Sequence, residues 1–190
     1  HGWDLPRQSA ELIPVVREIL ADLDTPLSIF RRLDDGRTSF LLESVEGGEK
    51  WARYSFVGSG ARALFRARGR RVEWIESDRH EEVEEPADPL EFLRRKLAGL
   101  RPATLPGIEL PRFLGGAVGM IGYDWVRFVE SVPDANPDRI GLPDLWFVFP
   151  EIVVVYDNVR HKALIVHHAK VEPGADLARV RFVLHPTNRG

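Results

Sequence analysis

Leu12, Val16, Ile19 and Leu23 are spaced four, three and four apart, the spacing of one helical face. Pro14 would delete a ladder donor if it lay deeper than the first turn. The pattern therefore predicts a helix from about Ile13 to Asp22, closed by Thr25-Pro26. Beyond it, Leu27, Ile29 and Leu33 alternate with polar positions as in a half-buried strand. Asp34-Asp35-Gly36 is a turn, and Ser39 to Glu43 reads as the returning strand. Glu46-Gly47-Gly48-Glu49 is a loop before a strand near Tyr54–Val57. Leu64–Arg68 and Val72–Ile75 flank a turn at Arg-Gly-Arg-Arg and predict a hairpin.

Ser77 to Glu85 is polar and acidic without periodicity, and reads as a solvated linker. Asp88-Pro89-Leu90-Glu91 places a cap, a proline at the first helical position and a glutamate three after the cap. These open a helix whose buried stripe is Leu90, Leu93, Leu97 and Leu100. Pro102 to Pro111 forms a proline-rich connector, and Gly115 to Tyr123 a glycine-studded strand and bend. Leu145–Phe149, Ile152–Tyr156 and Leu164–Val166 are dense in Val, Ile and aromatics, with Asp157-Asn158 as a turn. Leu177, Val180 and Leu184 predict a last helix. Antiparallel-looking strands outnumber about three helices, without strict alternation, so the predicted class is α+β: an antiparallel β-sheet with outer helices.

At 190 residues the chain is long enough to bury about 70% of its unfolded surface without a metal or disulfide staple. The absence of cysteine excludes thiolate catalysis, cysteine-ligated zinc, iron–sulfur clusters and disulfide frameworks. With 26 basic and 29 acidic residues the net charge is −3, which favours neither nucleic acid nor anionic membranes as partners. No apolar run approaches the roughly 18 residues of a membrane-spanning helix. The opening His-Gly-Trp-Asp has neither an initiator Met nor a signal-peptide pattern and reads as a processing scar. A cytoplasmic location is expected.

Familiar catalytic signatures are missing. There is no Gly-x-x-x-x-Gly-Lys-Ser/Thr loop and no Gly-x-Ser-x-Gly elbow. Gly115, Gly116, Gly119 and Gly122 lack dinucleotide-loop spacing and suit close packing against a neighbouring backbone. His167 and His168 are adjacent in a strand, so they point to opposite faces and cannot share a metal. Arg62, Arg66, Arg68, Arg70 and Arg71 form a basic cluster, but acidic residues follow it and it reads as surface charge around a hairpin turn. More informative is the strand ending in Leu42-Glu43-Ser44, a glycine loop, and a return through Arg53-Tyr54-Ser55. Glu43 can take an α-ammonium, Arg53 can grip a carboxylate bidentately, and Ser44 and Ser55 can donate and accept. The set suits a free amino acid; a hairpin with ordinary surface polar groups accounts for the same residues.

The string FLLESVEGGEKWARYSFVG resembles the amino-terminal region of the anthranilate synthase component I family, the chorismate-using subunits of tryptophan biosynthesis. Further blocks agree in order: Ile13-Pro14-Val15 with Asp22 to Pro26, Phe113 to Gly119, Gly122-Tyr123-Asp124, and Leu142-Pro143-Asp144-Leu145. Together they span Ile13 to Ala169. Ala52 stands where members often carry glycine, and Pro150-Glu151 where an acid is frequent after the aromatic. The resemblance implies that residues 1–190 are an amino-terminal regulatory portion, half of an antiparallel β-sandwich with outer helices. It implies that Leu42, Glu43 and Ser44, then Arg53, Tyr54 and Ser55, help bind the feedback inhibitor L-tryptophan. Chorismate and Mg²⁺ would be held by a carboxy-terminal catalytic domain outside this chain, leaving this portion with no cofactor and no catalytic residue of its own. That domain and a glutamine amidotransferase subunit, component II, are the implied protein partners. The equivalent portion of 4-amino-4-deoxychorismate synthase component I, or a pure scaffold for the catalytic domain, are the alternatives.

Overall fold

In the computed structural model, residues 12–43, 53–76, 79–83, 85–98, 111, 113–133, 135 and 137–170 are described. Among them, eight strands form one antiparallel sheet. The elements are β1 (Leu12–Leu20), α1 (Pro26–Leu33), β2 (Phe40–Leu42), β3 (Tyr54–Arg68), β4 (Arg71–Glu76), β5 (Arg79–Val83), α2 (Pro89–Ala98), β6 (Val118–Ile121), a 3₁₀ turn (Tyr123–Phe128), β7 (Leu145–Asp157) and β8 (Lys162–Lys170). The strand order is β1-β8-β7-β3-β4-β5, with β2 against β3 and β6 against β7. The α+β reading holds.

Two elements reverse the expectation from the sequence. Residues 12–20 form a strand, paired with β8 from Leu12↔Lys170 to Leu20↔Lys162, where a helix was expected. Ile19 and Leu23 of the supposed helical face are 37% and 100% exposed, so their spacing marks no buried stripe. Ile13, Val15, Val16 and Ile19 supply β-branched side chains, and β1 is an edge strand, where proline is tolerated.

The next element is a helix where a strand was expected. Thr25-Pro26 opens it instead of ending one. The Thr25 side chain accepts from the Ser28 N–H and the Ser28 hydroxyl accepts from the Thr25 N–H, a reciprocal cap with Pro26 in the first turn. Ile29, Phe30 and Leu33 then pack on the sheet, while Leu27 lies 56% exposed.

A third correction concerns the acidic linker. Its backbone at Arg79–Val83 pairs with β4, from Glu76↔Arg79 to Val72↔Val83, and supplies the far edge of the sheet. The β3–β4 hairpin, the helix opening at Pro89 and the Asp157-Asn158 turn stand where the sequence put them. In α2, Leu93 is buried as expected, together with Phe92, which the leucine stripe omitted. The final helix, the loop at 46–49 and nearly all of the proline-rich connector lie outside the described residues.

The backbone of the molecule is β3 against β7, in register from Tyr54↔Asp157 to Ala67↔Leu145. What read as two pairs of short strands is two long ones. Pro150 does not interrupt β7. It faces Ala61, next to the register shift between Ala61 and Ala63, and falls in the gap between β6, which pairs to Val148, and β8, which pairs from Ile152. No ladder on that side requires the missing N–H.

Three apolar clusters hold the layers. Phe65, Trp74, Phe149 and Leu145 pack against Phe92 and Leu93 of α2. Val57, Val154, Tyr156 and Ala163 pack under α1. Val153, Val155 and Val166 lie under Phe113 and Leu114, with Tyr54 and Phe56 beside them. The last two clusters occupy opposite faces of the same sheet end, because successive residues of β3 and β7 alternate between them. That end also carries the start of β3 and the end of β2.

Candidate functional site

The pairing of β2 with β3 puts Leu42 opposite Phe56, so the chain leaves β2 at Glu43 beside the first residues of β3. Leu42 is 42% exposed and Glu43 is exposed. Ser44 lies outside the described residues. Of the six residues picked from the sequence, the structure thus gathers five at one end of the sheet: Leu42 and Glu43 from β2, and Arg53, Tyr54 and Ser55 from the entry to β3.

The three residues on the β3 side are each already engaged. Arg53 donates from Nε and Nη2 to Oδ2 of Asp157, at 3.0 and 2.7 Å. Its Cζ lies 4.8 Å from the centroid of the Tyr54 ring, an attractive cation–π geometry. Ser55 is buried, and its Oγ accepts from Asn158 Nδ2 at 3.0 Å. The same Nδ2 donates to the Arg53 carbonyl at 3.2 Å, and the Asn158 backbone N–H donates to that carbonyl at 2.8 Å. Asp157 completes the arrangement: Oδ1 accepts from the N–H groups of Val159 and Arg160, each at 3.0 Å.

Burial by itself would raise the Asp157 pKa. The Arg53 hydrogen bonds and the two backbone donors outweigh it and hold the carboxyl below the usual aspartate value. This end of the sheet therefore carries a paired Arg53–Asp157 bridge on the β7 side of β3 and the exposed Glu43 carboxylate on its β2 side. Chemically, Glu43 offers an acceptor for an ammonium, Leu42 an exposed apolar surface, and the bridge a rigid wall. Asp157 and Asn158 were read in the sequence only as a turn. Their partners Arg53 and Ser55 lie 104 and 103 residues away, and no local pattern announces such a contact.

Other sequence candidates resolve into structural roles. A Cβ on Gly119 would sit 1.9 Å from the Trp146 carbonyl oxygen, so β6 reaches β7 only with glycine there. His167 donates from Nδ1 to the Glu151 carbonyl, whereas His168 is buried on the other face. Burial, then Arg62 and His167, push the His168 pKa down. Arg66 pairs with Glu73 and Arg68 with Asp138, which accounts for those members of the basic cluster as surface ion pairs. Among the described residues, no three His, Asp or Glu side chains are grouped to hold a metal. No helix among them is long and apolar enough to cross a membrane.

The structure thus defines an antiparallel sheet with a polar cluster at one end. No family model matches the chain. Relatives nevertheless align over most of it. Anthranilate synthase component 1 of Acetivibrio thermocellus is 38% identical over 173 residues, covering 90% of this chain and 34% of the relative. The Pseudomonas putida protein of the same name is 45% identical over 152 residues, covering 79% and 30%. The crystal structure of anthranilate synthase component I from Streptococcus pneumoniae TIGR4 aligns with 25% identity and a TM-score of 0.45, over 82% of this chain and 31% of that one. Over most of its length the chain is similar to proteins named anthranilate synthase component 1, and it spans about a third of the length of the curated relatives it matches.

Proposed function

We propose that this chain is the amino-terminal regulatory portion of an anthranilate synthase component I and that it binds L-tryptophan as a feedback inhibitor. The observation that carries the reading is the meeting of Leu42-Glu43 with Arg53-Tyr54-Ser55 at one sheet end, in a chain whose relatives bear that enzyme's name. In this reading Glu43 pairs with the ligand ammonium, Ser44 hydrogen-bonds it, and Leu42 with its apolar neighbours walls the indole. Arg53, Tyr54 and Ser55 close the site from β3.

The intact enzyme converts chorismate and ammonia, delivered by the amidotransferase component II, into anthranilate and pyruvate. Chorismate and Mg²⁺ are held elsewhere in the full-length chain, and no step of that reaction is assigned to residues described above. Inhibition is then a population shift, since tryptophan must bind the less active arrangement more tightly to change the balance. A coupling of about 1–3 kcal/mol is typical of such effectors.

The test is ammonium-dependent anthranilate formation. The full-length protein should form anthranilate from chorismate and lose that activity as L-tryptophan is added, with D-tryptophan far weaker. Residues 1–190 alone should form none. A full-length enzyme indifferent to L-tryptophan would reduce this portion to a scaffold, and aminodeoxychorismate as the product would move it to the sister enzyme.

A further inference from the structure

Arg53 was expected to grip the ligand's carboxylate, but its surroundings assign it another task. Its Nε and Nη2 both rest on one oxygen of Asp157, whose side chain is 11% exposed, while that of Arg53 is 25% exposed. Turning Arg53 toward a ligand would strand a largely buried carboxylate without its cation, which is strongly unfavourable. The other oxygen of Asp157 is tied to the N–H groups of Val159 and Arg160, so the carboxylate belongs to the β7–β8 turn and has little freedom to follow.

Asn158 acts on the same stretch from the next position. Through its backbone N–H and Nδ2 it holds the Arg53 carbonyl, and through Nδ2 it holds the Ser55 hydroxyl, so the backbone is clamped on both sides of Tyr54. Tyr54 pairs with Asp157 in the β3–β7 register and carries Arg53 over its ring. The Arg53–Asp157 bridge and the Asn158 hydrogen bonds join the start of β3 to the β7–β8 turn. None uses β2, whose exposed end at Glu43 is left for an incoming group.

We propose that Asp157 and Asn158 are positioning residues for the inhibitor site: they fix Arg53-Tyr54-Ser55 beside Leu42-Glu43, and Arg53 serves binding through Asp157, not by contact with the ligand. The inference rests on the tryptophan-binding reading above. Side chains that touch a ligand keep their geometry only when neighbours hold them, and here the neighbours come from a turn about a hundred residues away.

A double-mutant cycle in the full-length enzyme tests this. Arg53→Gln, Asp157→Asn and the double variant put a neutral hydrogen-bonding group at each substituted position, and Asn158→Ala provides an independent probe of the clamp. The readouts are the L-tryptophan concentration for half inhibition, the preference for L-tryptophan over L-phenylalanine, and kcat/KM for chorismate with ammonium. Each single variant should weaken inhibition about tenfold, the scale of one lost charged hydrogen bond. The double variant should be no weaker than either single, because both remove one bridge. Asn158→Ala should weaken inhibition and narrow the preference, with its kcat/KM unchanged.

A large loss for Arg53→Gln with none for Asp157→Asn would make Arg53 a direct ligand and overturn the proposal. Losses that multiply in the double variant, or inhibition unchanged in Asp157→Asn and Asn158→Ala, would also overturn it. If the unsubstituted enzyme ignores L-tryptophan, the regulatory reading fails and takes this inference with it; sensitivity that survives the Asp157 and Asn158 changes removes this inference alone.

Discussion

Tyr156 donates its phenolic hydrogen to the carbonyl of Asp24 at 2.8 Å, tying the buried centre of the sheet to the residue before the Thr25 cap. The ring is buried beneath α1, and the pKa of the hydroxyl is raised, first by burial and then by Asp24 and Asp22. Tyr156→Phe keeps the ring and removes the donor. The expected cost is about 1–2 kcal/mol, read as a lower urea midpoint, with the far-UV spectrum retained.

Gly119 and Trp146 set a sharper limit. A methyl group on Gly119 collides with main-chain atoms of β7, at 1.9 Å from the Trp146 oxygen and 2.6 Å from the Phe147 Cα, so no side-chain rotation relieves it. Gly119→Ala should detach or shift β6 and cost on the order of 3 kcal/mol. Gly36→Ala is the control: it lies at φ +69° with open space around it, and only the backbone preference is lost, about 1 kcal/mol. Thermal unfolding of the two variants should separate them clearly. Equal melting temperatures would contradict the close approach of β6 to β7.

The Arg53–Asp157 bridge predicts an acid limb in the stability. An unfolded aspartate titrates near 3.8, and the folded value of Asp157 lies lower. Its contribution is therefore fully present above about pH 4 and is lost as pH falls through the folded-state value. Asp157→Asn should lower stability at neutral pH by on the order of 2 kcal/mol, since the partner is partly exposed. The difference from the unsubstituted protein should shrink steadily below pH 4. A difference independent of pH would contradict an ionised Asp157.

Much of the sheet was legible because its cues are local. The alternating runs of β3, β4, β7 and β8, the turn at Arg-Gly-Arg-Arg and the opening of α2 all carry their signals within a few residues. The amino-terminal elements were misread where two periods competed. Leu12, Val16, Ile19 and Leu23 mimic a helical face, yet the pairing of all nine β1 residues with β8 decides the conformation of the first three, and that partner lies about 150 residues on. For α1 a usable signal was present: Thr25, Pro26 and Ser28 form a helix start, and Pro26, Ile29, Phe30 and Leu33 recur at helical spacing. Alternation of Leu27, Ile29 and Leu33 was the weaker pattern.

The site was legible in part for the same reason. Leu42-Glu43 and Arg53-Tyr54-Ser55 are near in sequence, and the β2–β3 register brings them together. Asp157 and Asn158 reach Arg53 and Ser55 only through the long β3–β7 pairing, so no reading of the Glu43 segment alone would find them. Likewise, Arg53 as a free cation was a fair inference from residue type. Its partner became visible only with the fold.

The account rests most heavily on the Glu43-Ser44 element as the inhibitor site. Half-inhibition of the full-length enzyme by L-tryptophan, measured for Ser44→Ala against the unsubstituted protein, is its most direct test. Loss of one hydrogen bond to the charged ammonium should raise the half-inhibiting concentration about tenfold or more, with kcat/KM for chorismate and ammonium unchanged. An unaltered inhibition curve in an active Ser44→Ala enzyme would contradict the assignment.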